Sequence, residues 1–113
     1  MKIIFGSDEK TPLTDFVSGW LKENGHEIIQ AGHLADEKLK WCWVEAGMLV
    51  GEKVSAGEFD FGIACCSSGT GVCMAANRYK NARAALCWNK EIAKMARKWD
   101  DANILCLSLL HTD

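Results

Sequence analysis

The chain has 113 residues, 49% of them hydrophobic and 25% charged, and its formal net charge at pH 7 is -2. This length and composition predict one globular domain with a single core. The near-neutral charge gives no reason to expect nucleic acid or a membrane surface as a partner, and no apolar run approaches the roughly 18 residues of a membrane span.

The first predicted elements are a strand, a helix and a second strand. Residues 2–6 (KIIFG) are typical of a buried strand, and residues 11–25 predict a helix with Thr11 as N-cap and Gly25 as its stop. Residues 26–32 predict the second strand, and a polar loop follows. Apolar residues of the helix recur at spacings of three and four and predict one inward face: Leu13, Phe16, Val17, Trp20 and Leu21.

The second half of the chain continues the alternation. Residues 41–57 predict a helix with Val44, Met48 and Val54 among its inward positions, and residues 59–66 predict the third strand. A short helix over 72–79, a strand over 82–87, a helix over 89–99 and a strand over 102–108 follow. Alternating strands and helices predict an α/β fold, with a five-stranded parallel sheet between two helical layers. No linker or repeat interrupts it, so residues 1–113 are predicted to form a single domain.

The six cysteines are predicted to be free thiols. Cys65, Cys66, Cys87 and Cys106 lie in or beside apolar strand-like runs, where a free cysteine packs as a small hydrophobe. The N-terminal residues MKIIFGSDEK are typical of a first strand and not of a secretory signal, so a reducing, cytoplasmic location is expected. No CxxC pair occurs and the histidines lack zinc-ligand spacing, so no metal is expected.

Ligands of parallel α/β sheets bind beyond the carboxyl ends of the strands. This rule selects GSDE after the first strand, CSSGTG after the third, and CWNK, which contains Trp88, after the fourth. The stretch after the third strand belongs to ACCSSGTGVCMAANR, residues 64–78, which places thiols, hydroxyls and glycines together at the end of a strand. The function predicted for the chain therefore depends on what this turn does.

Three interpretations of this turn are open. A nucleotide loop is disfavoured, because no lysine follows the glycines and the glycines do not follow the first strand. A plain tight turn with Cys65 and Cys66 as strand packing is the second interpretation. The third is catalytic: a helix beginning near Gly71 directs free amides at the turn and favours the thiolate form of a cysteine there. A thiolate beside oxyanion-binding amides is what proton abstraction next to a carbonyl requires.

The chain resembles the ribose-5-phosphate isomerase B and galactose-6-phosphate isomerase family. The segments that carry the resemblance span most of the chain in order: KIIFGSD, VSAGEFDFGIACC, SGTGVCMAANR, ARAALC and DDANIL. The resemblance implies a Rossmann-like fold with strand order 2-1-3-5-4. It also implies aldose–ketose isomerisation of a small sugar phosphate through an enediolate, without a cofactor. The enzyme would be a homodimer or homotetramer with active sites shared between subunits.

The family turn, Cys-Gly-Thr-Gly-x-Gly, aligns with residues 66–71 of this chain. The resemblance therefore implies Cys66 as the proton-transfer base, and Ser68, which keeps the hydroxyl of the family threonine, as a second catalytic residue that moves a proton between two oxygens. Amides of the turn would bind the oxyanion, Asp8 a substrate hydroxyl, and Trp43 would form an aromatic wall. The implied substrate-binding residues are Asp8, Ser67, Gly69, Thr70, Gly71, Trp43, Trp99 and Asp100.

Several family positions are changed. Glu9 stands where the family commonly has a phosphate-contacting histidine, and Trp99-Asp100 stands where its pentose-phosphate isomerases have a His-Asn pair whose histidine opens the sugar ring. The family's helical tail, which carries phosphate-binding arginines, has no counterpart before residue 113. Candidate replacements for those arginines are Lys10, Arg78, Arg97 and Lys98.

These changes leave two functions open. One is an isomerase of a pentose or tetrose phosphate, and the loss of the ring-opening histidine favours the tetrose, which needs no ring opening. The other is a non-catalytic sugar-phosphate-binding or partner subunit of a heteromeric isomerase. The presence of Cys66 argues against the second, whereas the loss of the ring-opening histidine and of the helical tail argues for it.

Overall fold

Five strands alternate with four helices in the computed structural model, which describes residues 1–38 and 42–112. The strands are β1 (Lys2–Ser7), β2 (Glu27–Gly32), β3 (Phe61–Cys66), β4 (Ala84–Leu86) and β5 (Ile104–Ser108). The helices are α1 (Pro12–Glu23), α2 (Trp43–Ser55), α3 (Thr70–Ala76) and α4 (Lys90–Asp100). All strand pairs are parallel, in the order β2-β1-β3-β5-β4. The predicted class, strand number and strand order are confirmed.

Local sequence signals explain where α1 begins and ends. Thr11 is its N-cap: the Thr11 hydroxyl accepts from the Thr14 amide, and the Thr14 hydroxyl accepts from the Thr11 amide. Pro12 occupies the first helical position, where a missing amide costs nothing. Gly25, which follows the helix, has a φ of +82°, a conformation that other residues adopt at a cost. The predicted N-cap at Thr11 and the predicted stop at Gly25 are both confirmed.

The predicted start of the next helix, at Trp41, lies outside the described residues.

The helices cover the sheet in two layers. A cluster that includes Ile4, Val50 and Val72 joins one face of the sheet to α2 and α3. A second cluster that includes Phe5 and Leu21 joins the other face to α1, and a smaller one packs beneath α4. Glycines bring α2 and α3 close together: a Cβ at Gly51 would lie 2.5 Å from a carbonyl oxygen of α3. None of the helices in the described ranges is long and apolar enough to cross a membrane.

The inward face predicted for α1 is wrong in part. Phe16 and Trp20 are 69% and 51% exposed, whereas the buried residues of α1 are Thr14, Ser18 and Leu21. Both buried hydroxyls have hydrogen-bond partners: Ser18 accepts from Gln30 of β2, and the Thr14 hydroxyl donates to the carbonyl of the N-cap Thr11. Leu21 is buried and Leu13 and Val17 are half-buried as predicted, but two of the inward positions of α1 are hydroxyl residues in place of Phe16 and Trp20.

The apolar positions predicted to face inward on α2 are only partly so. Val54 is buried, but Val44 and Met48 are half-buried, and the remaining buried positions of α2 are the small residues Ala46, Gly47, Val50 and Gly51. Small side chains lie inward because α3 approaches α2 closely. Close helix packing, rather than hydropathy, therefore sets the buried face of α2.

Candidate active site

The carboxyl ends of the five strands meet at one edge of the sheet. His33 follows β2, Asp8 follows β1, the turn 67–69 follows β3, His111 follows β5 and Trp88 follows β4. The chain connections change direction between β1 and β3. From β1 the chain passes through α1 to β2 at one edge of the sheet, whereas from β3 it passes through α3 to β4 at the opposite edge. Open α/β sheets bind ligands at such a switch point, and Asp8 and the turn flank it.

The adjacent cysteines of β3 face opposite layers of the fold. Cys65 is buried in the cluster beneath α1, and burial raises the pKa of its thiol to about 12. Cys66 packs in the cluster beneath α2 and α3 and keeps 4% of its surface exposed. The Gly69 amide donates a hydrogen bond of 3.2 Å to Sγ of Cys66. A thiolate accepts such a bond more strongly than a thiol does. Of the two adjacent cysteines, Cys66 is therefore the one that contacts the turn.

The turn leaves several amides without a partner. Within residues 1–38 and 42–112, the amides of Ser67, Ser68 and Gly71 donate to no acceptor of the chain. The Gly69 and Thr70 amides, which the sequence also assigned to the oxyanion, instead donate to Cys66 and to the Ser68 hydroxyl. The hydroxyl oxygens of Ser68 and Thr70 lie 2.6 Å apart. Three unpaired amides beside a buried sulfur can hold an oxyanion formed next to it.

Glycine is required at Gly69, the N-cap of α3, where φ is +82°. A Cβ there would lie 2.5 Å from Cδ1 of Leu86 and 2.9 Å from the carbonyl carbon of Leu107. Gly71 is also crowded, because a Cβ would lie 2.8 Å from the ring of Trp43. Trp43 is 43% exposed and therefore covers the start of α3 while presenting part of its ring to solvent.

Asp8 brings a carboxylate to the same edge. Its amide donates to the Cys65 carbonyl, and its Oδ1 is buried without a hydrogen-bond partner among the described residues. Burial, and then the neighbouring charge of Glu9, raises the pKa of the Asp8 carboxyl, whereas His33 lowers it. Sequence analysis missed His33, although its place directly after β2 is the same signal that selected Asp8. An unpaired carboxylate oxygen at the switch point is suited to bind a substrate hydroxyl.

A cavity of about 610 Å³ opens beside the turn, and its lining includes Ser68, Trp88 and His111. Trp88 was expected at this edge, but His111 and Ser108 were not assigned to the site. The segment after β5 carries no Gly-rich or family-matched motif, so the only available signal was its place at a strand end. In the described part of the chain, no group of three or more His, Cys, Asp or Glu side chains could hold a metal ion.

Trp99 and Asp100 are not brought to the turn within one protomer. They end α4, which leads into the amino end of β5, whereas Cys66 pairs with Ser108 at the carboxyl end. The five residues of β5 span four rises between these ends, about 13 Å. Trp99 is 69% exposed. The family resemblance assigned both residues to the site, together with active sites shared between subunits.

The basic residues proposed to replace the family arginines are also placed away from the turn. Arg97 lies at the end of α4, where it pairs with Asp101 and stacks on Phe61, and Lys98 follows it in the same last turn. Arg78 follows the C-terminal end of α3, at the amino ends of the strands. Lys10 lies at the correct edge but pairs with Asp15 at 2.7 Å.

Comparison with known proteins assigns the family. A model of the family described as Ribose/Galactose Isomerase matches residues 3–112. A 4-deoxy-4-sulfo-D-erythrose isomerase of Clostridium sp. (strain MSTE9) is 33% identical over 95% of this chain and 67% of its own length. A probable ribose-5-phosphate isomerase B of Mycoplasma pneumoniae is 47% identical over 85% of this chain. This chain spans 62% of that relative's length.

Solved structures agree over nearly the whole chain. The ribose-5-phosphate isomerase B of Clostridium thermocellum matches with a TM-score of 0.90 and 38% identity, covering 99% of this chain and 75% of its own. The enzyme of Mycoplasma genitalium, solved with bound ribulose-5-phosphate, matches with a TM-score of 0.87 and 33% identity, covering 99% and 74%. The chain therefore belongs to the ribose/galactose isomerase family, a family of sugar-phosphate isomerases.

Proposed function

We propose that this chain interconverts an aldose and a ketose of a small sugar phosphate without a cofactor, with Cys66 as the proton-transfer base. The observation that supports this most directly is the turn itself. The Gly69 amide contacts the Cys66 sulfur, and in the described part of the chain the amides of Ser67, Ser68 and Gly71 in the same turn have no acceptor. A base and an oxyanion site side by side are the two requirements of enediolate chemistry.

The proposed reaction starts from the open-chain aldose. The Cys66 thiolate takes the proton from C2, and the C–H electron pair forms the C1–C2 double bond while the C1 carbonyl oxygen becomes an oxyanion. The free amides of the turn stabilise that oxyanion. The Ser68 hydroxyl transfers a proton from O2 to O1, and Cys66 returns its proton to C1, which leaves the ketose. Cys66 as a whole is only 4% exposed, so its thiol is largely screened from bulk water.

Binding and orientation fall to the residues around the turn. We propose that Oδ1 of Asp8, buried and without a partner among the described residues, binds a substrate hydroxyl. Trp43, which lies against Gly71, forms a wall that covers the reacting carbons. Neither role requires a bound metal or organic cofactor.

The substrate is proposed to have four or five carbons and one anionic end, and we favour four. An open-chain tetrose phosphate needs no base to open a ring, and this chain has Trp99 where the pentose-phosphate isomerases of the family have a histidine. The 4-deoxy-4-sulfo-D-erythrose isomerase is a relative named for an anionic four-carbon sugar. That likeness supports the proposal for a small acyclic substrate.

We propose a homodimer or a larger homo-oligomer. Trp99 and Asp100 lie about 13 Å along the strands from the turn, so they can serve a Cys66 site only when a second copy presents them. Trp99 is 69% exposed and free to take part in such a contact. The six free thiols fit a protein that works in the reducing cytoplasm.

Solvent deuterium exchange tests the proposed reaction. The protein is incubated in D₂O with erythrose 4-phosphate, ribose 5-phosphate and the corresponding ketoses, and NMR follows deuterium at C1 and C2. Exchange with at least one pair, lost in Cys66→Ala and kept in Cys65→Ala, is the expected result. A wild-type protein that exchanges none of them while still binding them would instead be the non-catalytic partner subunit.

A further inference from the structure

The basic residues expected from the sequence leave the anionic end of the substrate without a counter-charge. Arg97 and Arg78 lie at the other edge of the sheet, and Lys10 is paired with Asp15. The inference below rests on the proposed function, because it names the groups of the same site that meet that anionic end.

Two neighbouring cavities share one wall beside the turn. The larger, about 610 Å³, is lined by Ser68 together with Cys87, Trp88 and His111. The smaller, about 360 Å³, has the same three residues in its lining and adds Lys90, at the start of α4. We call the two cavities together the trough: Ser68 lines the larger one, Lys90 lines the smaller one, and Cys87, Trp88 and His111 line both.

His111 is held at this trough by the backbone of the catalytic turn. The amides of Leu109 and Leu110 donate to the carbonyls of Cys66 and Ser67 at 2.9 and 3.2 Å. The Ser108 hydroxyl donates to the Ser67 carbonyl at 2.7 Å and accepts from the His111 amide at 3.0 Å. These bonds fix the backbone of His111 relative to that of Cys66 and Ser67, and its exposed side chain lines both cavities.

The charges around His111 favour an anion. Among the described residues, Lys90 makes no ion pair, and Glu91, its neighbour on α4, lines neither cavity. Cys87, at the end of β4, is the other ionisable group in both linings, and burial raises the pKa of its thiol, which keeps it neutral. Within residues 1–38 and 42–112, no carboxylate lines either cavity.

We infer that His111 and Lys90 form the subsite for the anionic end of the substrate, a terminal phosphate or sulfonate, with Trp88 as the wall along its carbon chain. The reacting carbons then lie at Ser68 and the free amides, and the anionic group lies at the far end of the trough. His111 and Lys90 are specificity residues that set affinity for the charged substrate, and they take no part in proton transfer at carbon.

Histidine NMR tests the subsite without relying on catalysis. The His111 ring resonances are assigned by their loss in His111→Gln, and the protein is titrated with inorganic phosphate and, separately, with methanesulfonate. A saturable shift of His111 with either anion, weakened by Lys90→Gln and not by Lys94→Gln on the exposed face of α4, is expected. No shift of His111 with either anion at tens of millimolar would overturn the inference. A response to phosphate alone or to methanesulfonate alone identifies the anionic group.

Kinetics then separate this inference from the proposed function. His111→Gln is expected to raise KM for erythrose 4-phosphate about fivefold, the size of one exposed ion pair, with kcat nearly unchanged. KM for uncharged erythrose should not move, and His111→Lys should restore KM for the phosphate. His26→Gln, at the opposite edge of the sheet, is the matched control. Equal KM changes for charged and uncharged sugar would overturn the subsite while leaving isomerase activity intact.

Discussion

The backbone amide of Gly69 donates a hydrogen bond to the sulfur of Cys66 at 3.2 Å, and both residues lie at the switch point of the sheet. The contact joins the end of β3 to the N-cap of α3. It turns one of two adjacent cysteines toward the free amides of the turn and leaves the other in the opposite layer. The chemical difference between two identical side chains therefore comes from their place in the sheet.

Cys66→Ala is expected to lower kcat by about 10³-fold or more, because it removes the general base, and to leave the fold intact. Cys65→Ala should keep the activity and cost about 1 kcal/mol of unfolding free energy, since it leaves a small void under α1. Steady-state kinetics and urea unfolding measure both. The assignment is wrong if Cys65→Ala abolishes turnover while Cys66→Ala retains it.

Gly69→Ala is expected to abolish activity and to destabilise the fold by about 3 kcal/mol or more, because strain at positive φ adds to a clash with Leu86 and the β5 backbone. Gly25→Ala is the matched control. Gly25 has the same φ of +82° and open space around it, so its substitution should cost only about 1 kcal/mol. Similar losses of stability at the two positions would show that crowding at the turn is unimportant.

Asp8→Asn is expected to lower kcat/KM and to raise stability at neutral pH. Burial raises the pKa of the folded-state carboxyl above its ordinary 3.8. A raised folded-state pKa favours the fold below the unfolded-state value, and this advantage is lost as pH rises through the folded-state pKa. The ionised carboxylate thus destabilises the fold at pH 7. The difference in melting temperature between Asp8→Asn and wild type should disappear below about pH 4. A variant that melts at a lower temperature than wild type at pH 7 contradicts the prediction.

The rate at which each thiol is alkylated should depend on its burial and on its hydrogen bonds to other thiols. A hydrogen bond from Cys106 lowers the pKa of the Cys73 thiol to about 7, whereas burial raises that of Cys65 to about 12. Iodoacetamide labelling from pH 6 to 9, quantified on peptides by mass spectrometry, should show Cys73 reacting with a midpoint near pH 7 and Cys65 remaining unmodified. Cys106→Ala should move the Cys73 midpoint upward. Labelling of Cys73 that rises only above pH 8.5 in wild type would exclude the thiol pair.

Four-carbon sugar phosphates are expected to react with a kcat/KM at least about tenfold above that of five-carbon ones, a difference of about 1.4 kcal/mol in barrier. The reason is that no histidine occupies position 99 to open a furanose ring. The comparison uses aldose and ketose of each length. Trp99→His should then improve turnover of the five-carbon ring specifically. A clear preference of the wild type for ribose 5-phosphate contradicts this prediction.

The candidate site could be located from sequence because its main residues adjoin apolar strands. Asp8, Cys66 and Trp88 each follow or end a strand, and a parallel sheet brings such positions to one edge. His111 follows a strand in the same way, but nothing in the local sequence links it to Ser67. That link is made by the Ser108 hydroxyl and the Leu110 amide, which reach the turn from residues about forty positions later in the chain.

The sequence by itself determined the elements and the parallel sheet, since these follow from apolar periodicity, helix caps and glycine spacing, which act between near neighbours. It also selected the turn after β3 as the candidate site. Only the tertiary structure decided which positions of α1 are buried, where hydrogen bonds to Ser18 and Thr14 outweigh hydropathy. It also placed Trp99 and Arg97 at the far edge of the sheet and His111 beside the turn. Such placements depend on strand pairing between segments far apart in the chain. Contacts between distant residues produce no repeating pattern in the sequence from which they could be predicted.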